Sequence, residues 1–409
     1  MAVLDAELST DEPGTGSHGA VRLRDGLVFA AAVFVAVWVG WALLSLVGVG
    51  LFPPGTPVGV VGLDAQPITP GWHNLVASGN HADALWFQRI AISGYRTDDS
   101  SAAFFPLYPM AVAVLALLPG VSPLVAATIV AQGSFFGVLV VFHALTAREF
   151  DATTARRAVR YLAIFPTAFF FLAPYTEAPF LLLVLLTFWY ARGGRWWPAL
   201  LFAALAALTR SVGIVLLPAL LVEAVQYWRL LRVRAPILSS RTVLARSLPS
   251  LATVCGPVLG LAGYGLYWQW AHGDLMAPLE AQDTWQREPT VPIMTLWHAV
   301  RLAWTYQSYW LIDLLVVGLV LVAVLAGARL IPPGYLTYAL ASLLMPLSDP
   351  YPARPLLSMP RFVLVVFPAV WVVALAVRRW RLPDSLVTAA FVAGYGLLGL
   401  MFINSYSIF

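Results

Sequence analysis

The sequence predicts an all-α, polytopic membrane protein, and three observations carry that reading. Hydrophobic residues make up 60% of the 409 residues and charged residues only 11%, against about 25% charged in a soluble globular protein. Mean hydropathy is +0.80. The apolar residues also fall into long Leu-, Val- and Ala-rich runs, and a membrane-crossing helix needs about 20 such residues. Counting shorter runs too, since fewer residues suffice where helices are broken inside a protein-packed interior, there are about eleven candidates. They lie at roughly 27–52, 103–119, 123–145, 158–173, 178–192, 197–226, 250–271, 309–328, 334–347, 361–377 and 384–404.

Residues 1–26 are polar, with Asp5, Glu7, Asp11 and Glu12 among Gly and Ser. They are expected to be a disordered cytoplasmic tail. They lack the small-residue cleavage pattern of a signal peptide, so the first apolar run reads as a retained anchor. Residues 27–409 then form a single integral-membrane domain. All 24 basic residues are arginine. The pI near 9.3 needs no nucleic-acid partner, because arginines concentrate in the cytoplasmic loops of membrane proteins. The single cysteine, Cys255, excludes an intramolecular disulfide and a cysteine-rich metal site.

Arginine bias sets the expected orientation. The loop 229–246 carries Arg229, Arg232, Arg234, Arg241 and Arg246, and Arg378, Arg379 and Arg381 mark another. Placing both inside and counting crossings puts two long segments outside, at about 53–102 and 272–308. Such segments, bearing acids and tryptophans, are expected at the membrane interface. This simple count leaves Arg148, Arg156, Arg157, Arg160, Arg192 and Arg195 outside as well. The alternative splits 197–226 at Thr209-Arg210-Ser211 and removes one crossing before residue 148. We adopt the simple count.

Chemistry-bearing residues crowd into residues 81–109. On a helix starting at Asp83, Trp86, Phe87 and Ile90 share its face. A carboxylate held against apolar surface is desolvated and becomes a better proton acceptor, as a general base acting on a hydroxyl requires. The competing reading is a helix N-cap. Asp98 and Asp99, in the following turn, read as solvated or capping residues. His73 and His81 flank the acid, but no metal-binding spacing supports a metal site. Two prolines interrupt Phe104-Phe105-Pro106-Leu107-Tyr108-Pro109, freeing backbone groups that only protein or a cavity can cover. Glu177 and Arg210 are the charges most deeply set in apolar sequence, and an ionisable residue at membrane depth is a candidate functional group; the competing reading for each is a mutual or local structural pair, or snorkelling to the interface. Arg361 begins a run directly after the external segment 348–360, where its guanidinium suits a lipid phosphate or simply snorkels to the interface.

Taken in order, several motifs resemble the PIG-V mannosyltransferases, bacterial relatives of the GPI mannosyltransferase II. They are the Asp83 helix with Ile90-Ala91 and Gly94-Tyr95, Ala103 to Pro109, Phe165-Pro166-Thr167-Ala168, and Tyr175-Thr176-Glu177. Thr209-Arg210-Ser211, then Pro278, Gln282 and Trp285, and finally Pro360-Arg361-Phe362 with Phe367-Pro368 complete the series. The family usually has Trp directly before the loop aspartate, where this chain has Ala82.

The resemblance implies a GT-C-type glycosyltransferase fold and inverting transfer of mannose from a polyprenyl-phosphate-mannose donor. The acceptor would be a lipid, glycan or protein at the outer face of the cell membrane. Asp83 would be the general base, with Arg361 or Arg210 on the donor phosphate. Trp86, Tyr95, Tyr108, Tyr175, Glu177, Gln282 and Trp285 would bind substrate. Because the leaving group would be a lipid monophosphate, no metal or other cofactor is demanded; membrane lipids are the remaining partner. The main rival is a transporter or flippase, which broken spans would also suit. Transporters tend to carry internal repeats, and the sequence shows none. A GT-C enzyme using another lipid-linked sugar is the second alternative.

Overall fold

The computed structural model describes residues 15–234, 239–307 and 309–406, with the side chains of 15–23, Arg234, Ser240 and Trp285 outside them. Among the described residues the chain is all helical, apart from two isolated β-bridges. The helices that matter are α1 (Thr15–Leu51), α2 (Asp83–Ser93), α3 (Leu107–Leu115), α4 (Pro123–Glu149), α5 (Ala152–Ala163), α6 (Glu177–Arg192), α7 (Trp196–Thr209) and α8 (Leu216–Arg234). There follow α9 (Ser240–Thr253), α10 (Gly256–His272), α11 (Pro292–Tyr306), α12 (Tyr309–Ala326), α13 (Pro333–Leu347), α14 (Phe367–Arg379) and α15 (Asp384–Ile403). Helix α1 starts inside the expected tail, so residues 15–26 are helical. Residues 1–14 lie outside the described residues.

Among the described residues, five helices are long and apolar enough to cross a membrane: Arg24–Leu51, Pro123–Glu149, Ser211–Val233, Tyr309–Ala326 and Asp384–Ile403. Two bent pairs, α9 with α10 at 44° and Met359–Val365 with α14 at 73°, raise the number to seven if each is one span. Other expected runs form shorter or broken helices, as membrane-depth backbone can when protein covers it.

Two expected runs behave differently. The run 103–119 holds only the nine-residue α3, about 14 Å long and well short of a hydrocarbon core of roughly 30 Å. The run 197–226 reverses at Arg210. Gly213 donates to the Arg210 carbonyl at 2.9 Å, and a Cβ at Gly213 would come 2.5 Å from Ala207 Cα, so only glycine lets the chain double back there. The start of α7 then meets the far end of α8, with the Trp196 and Tyr227 rings 5.1 Å apart.

These two features correct the adopted crossing count. Arg157 and Arg160 pair with Asp384 at 3.0 and 3.2 Å, Arg378 pairs with Asp151 at 2.8 Å, and Arg156 lies 5.9 Å over the Phe29 ring. All of these belong to the end of the bundle where α1 begins. The other end of α1 meets Asn404, whose amide donates to the Gly48 carbonyl at 3.3 Å. Residues 29 and 48 are about 28 Å apart along α1. The arginines at 148–160 therefore share an end with those at 378–381, as the alternative count requires.

The two long segments meet at the opposite end. Ser100 donates to Thr284 at 3.3 Å and Gln282 to the Ala103 carbonyl at 3.3 Å, while Tyr264 within α10 donates to the Ala102 carbonyl at 3.0 Å. Segment 287–290 docks on 348–350 through Glu288 N to Pro350 O (3.0 Å) and Thr290 N to Ser348 O (2.9 Å). A buried Arg354–Asp313 pair at 2.6 Å ties that loop to α12. Helix α11 leaves Ile293, Trp297 and Trp304 exposed along one stripe, as an interfacial helix would.

Candidate active site

Asp83 is the first residue of α2 and projects from a tightly held turn. Ala82 before it has φ 52° and ψ −124°, a conformation costly for a residue with a Cβ. The surroundings hold it in place. Tyr175 donates its hydroxyl to the His81 carbonyl at 2.7 Å. The His81 Nε2 lies 3.0 Å from the Phe402 carbonyl, with its ring edge-on to Phe402 at 4.3 Å. Burial lowers the His81 pKa to about 4, so the ring is neutral at pH 7 and Nε2 must carry the proton it donates. Ala82 occupies the N-cap position and no side-chain cap forms there.

Instead of capping, the Asp83 carboxylate accepts from Arg361 Nη1 at 2.6 Å. Arg361 Nε is 3.1 Å from Glu177 Oε1. Glu177 opens α6 with its side chain 1% exposed, and the same Oε1 accepts from Arg210 Nη1 at 2.5 Å, while Thr176 Oγ1 accepts from that Nη1 at 2.9 Å. Two carboxylates and two guanidiniums thus alternate in the order Asp83, Arg361, Glu177, Arg210. Mutual compensation of this kind is what permits four charges inside an apolar bundle. Aromatic faces complete the enclosure: Arg361 lies 5.5 Å over Tyr175 and 5.2 Å over Phe362, and Arg210 lies 5.5 Å over Phe362.

These groups border a cavity of about 260 Å³, with Phe87, Phe104 and Phe105 on one wall and Gln282 on another. Of the predicted site residues, Asp83, Glu177, Arg210, Gln282 and Arg361 line it together. Tyr175 stands one layer behind, beneath Arg361. Trp86 stacks on Phe104 at 5.3 Å, and Tyr95 donates to the Phe104 carbonyl at 2.7 Å, so both buttress the aromatic wall and neither lines the cavity. Tyr108 is buried and donates to the Ala127 carbonyl at 2.9 Å. The Trp285 side chain lies outside the described residues. Asp99 caps the turn 100–103 through Ser101 N at 2.8 Å and forms a buried pair with Arg89. Asp98 pairs with Arg96 at the surface.

Sequence reasoning missed Arg287 and Asp349 on the cavity lining and named Phe362 only as part of the Pro360-Arg361-Phe362 motif. In the sequence Arg287 stands beside Glu288 in a polar loop, with no motif to single it out. Only the docking of 287–290 on 348–350 turns it inward.

The family model described as "Mannosyltransferase (PIG-V)" matches residues 64–316, a stretch holding Asp83, Glu177, Arg210, Gln282 and Arg287 and ending before Arg361. No curated protein matches the chain. Among solved structures, ArnT from Cupriavidus metallidurans bound to undecaprenyl phosphate has a TM-score of 0.51 at 14% identity, over 93% of this chain and 76% of that one. The oligosaccharyltransferase of Archaeoglobus fulgidus has a TM-score of 0.42 at 12% identity, over 91% of this chain and 53% of that one. The ArnT likeness speaks to the fold, which is that of the GT-C glycosyltransferases. With the family model spanning more than half of its length and the motif acids and arginines brought to one cavity, the chain belongs to the PIG-V mannosyltransferase family.

Proposed function

We propose that the protein is an inverting mannosyltransferase that takes mannose from a polyprenyl-phosphate-mannose donor at the extracytoplasmic face of the cell membrane. The observation that carries this reading is the convergence of Asp83 with Arg361, Glu177 and Arg210 on one partly aromatic cavity. A membrane protein holds such charges at depth where they act on a charged or reacting ligand. The arginine-rich end, which positive-inside bias assigns to the cytoplasm, lies opposite the cavity.

In this reading the acceptor hydroxyl attacks C1 of the mannose from the face opposite the phosphate. The new C1–O bond forms as the C1–O bond to phosphate breaks, and polyprenyl phosphate departs. Asp83 takes the hydroxyl proton. Arg361, which donates to the Asp83 carboxylate at 2.6 Å, holds it in place. Negative charge building on the leaving phosphate competes for Arg361, with Arg210 beside it, and frees Asp83 as it is needed. Glu177 keeps the two guanidiniums aimed at the cavity. Phe87, Phe104 and Phe105 offer apolar faces to the sugar and the first part of the lipid.

The test is incubation of membranes containing the protein with radiolabelled polyprenyl-phosphate-mannose. A labelled acceptor with inverted anomeric configuration is expected. Donor consumption no greater than in control membranes would remove the reading. The same membranes given a different lipid-linked sugar test the choice of mannose.

A further inference from the structure

Three arginines (Arg210, Arg287, Arg361) and three carboxylates (Asp83, Glu177, Asp349) line the cavity. Two of the arginines are spoken for. Arg361 and Arg210 meet Asp83 and Glu177 directly. The third possible pair is not made. Arg287 Nη1 donates to the main-chain carbonyl of Asp349 at 2.9 Å, yet among the described residues no carboxylate oxygen lies within the 4.0 Å of an ion pair from its guanidinium. Burial lowers the Arg287 pKa, the mark of a cation that desolvation penalises more than its neighbours compensate. It remains charged, lies 5.9 Å over the Phe362 ring, and is held by a loop that is itself anchored by the buried Arg354–Asp313 pair.

We propose that Arg287 and Asp349 are the donor-recognition pair, Arg287 taking the phosphate of the lipid-linked sugar and Asp349 a sugar hydroxyl. The proposal rests on the transferase reading above and assigns roles to two residues of the same cavity. A glycosyl phosphate carries both functions that the unmade pair lacks: an anionic oxygen for a guanidinium and hydroxyl donors for a carboxylate. Arg287 supplies ground-state binding of the donor's single negative charge. Arg361 and Arg210 remain for the charge that develops as the sugar leaves.

The test uses the full chain purified in detergent, with undecaprenyl phosphate, undecaprenol and phosphatidylglycerol as probes and polyprenyl-phosphate-mannose as the transfer donor. In R287Q, binding of undecaprenyl phosphate weakens about tenfold or more, R287K recovers most of it, and the response to undecaprenol is unchanged. In D349N, undecaprenyl phosphate binding stays at the wild-type level while KM for the mannosyl donor rises about tenfold. Phosphatidylglycerol binds far more weakly than undecaprenyl phosphate. Equal binding of undecaprenyl phosphate by R287Q and the wild type, equal binding of phosphatidylglycerol, or an unchanged donor KM in D349N overturns the assignment. The melting temperature without ligand, and the R287K rescue, separate loss of a ligand contact from loss of fold. Arg287-dependent phosphate binding without any mannose transfer would keep the phosphate site and sink the transferase reading. Transfer that is indifferent to both substitutions would do the reverse.

Discussion

Replacing Glu177 with Gln probes the ion chain at its most buried member. The glutamine keeps the shape and an oxygen for Arg210, now 2.5 Å from Oε1, but removes the one negative charge shared by two guanidiniums. Arg210 and Arg361 are 15% and 12% exposed, so water can do little to compensate them. Breaking a buried pair from one side costs about 3–5 kcal/mol, and about 3 kcal/mol is expected here because Asp83 still neutralises Arg361. The assay is thermal unfolding of the purified protein in detergent. E177Q should melt several degrees below the wild type, and transfer should fall with it. The double variant E177Q/R210M removes both partners, so its loss should be smaller than the sum of the single losses by about 1–3 kcal/mol. An unchanged melting temperature in E177Q, or strictly additive losses in the cycle, would refute the reasoning that Glu177 compensates the two arginines.

Three further outcomes follow from the same geometry. Ala82→Gly removes the Cβ that disfavours φ 52°, so the melting temperature should rise by an amount worth about 1 kcal/mol; a lower value would mean that the turn is not strained. Gly213→Ala puts a methyl group 2.5 Å from backbone at Ala207, and loss of the α7–α8 hairpin should appear as poor membrane accumulation of folded protein. His81 has a depressed pKa of about 4 in the folded state against about 6.5 unfolded. Its contribution is therefore complete above pH 6.5 and is lost as pH falls towards 4. His81→Gln should flatten the decline in melting temperature across that window, and an unaltered slope would remove His81 as its source.

The membrane class was legible because composition and run length report directly on the solvent. The site was half legible. Asp83, Glu177, Arg210, Gln282 and Arg361 stand out as polar groups set in or beside apolar sequence, where each needs a partner. Trp86, Tyr95 and Tyr108 share the helical face or the motif but fill the layer behind the wall, since periodicity reports which side of a helix is covered and not by what. Arg287 and Asp349 were invisible because their inward orientation depends on two loops docking far apart in sequence. The crossing count failed for a related reason. An apolar run reports that the chain is buried in lipid or protein, while the reversal at Arg210 depends on the close approach of Gly213 to Ala207. The clue present in the sequence was the charge of Arg210 itself, midway along a run otherwise long enough to cross once.

The most direct test of the account is mannose transfer by Asp83→Asn in membranes where the variant accumulates as the wild type does. Asn keeps an acceptor oxygen for Arg361, now 2.6 Å from the carboxylate, but cannot take the hydroxyl proton. Transfer from labelled polyprenyl-phosphate-mannose should fall by about 10²–10⁴-fold with donor binding retained. Wild-type rates in that variant would contradict Asp83 as the base.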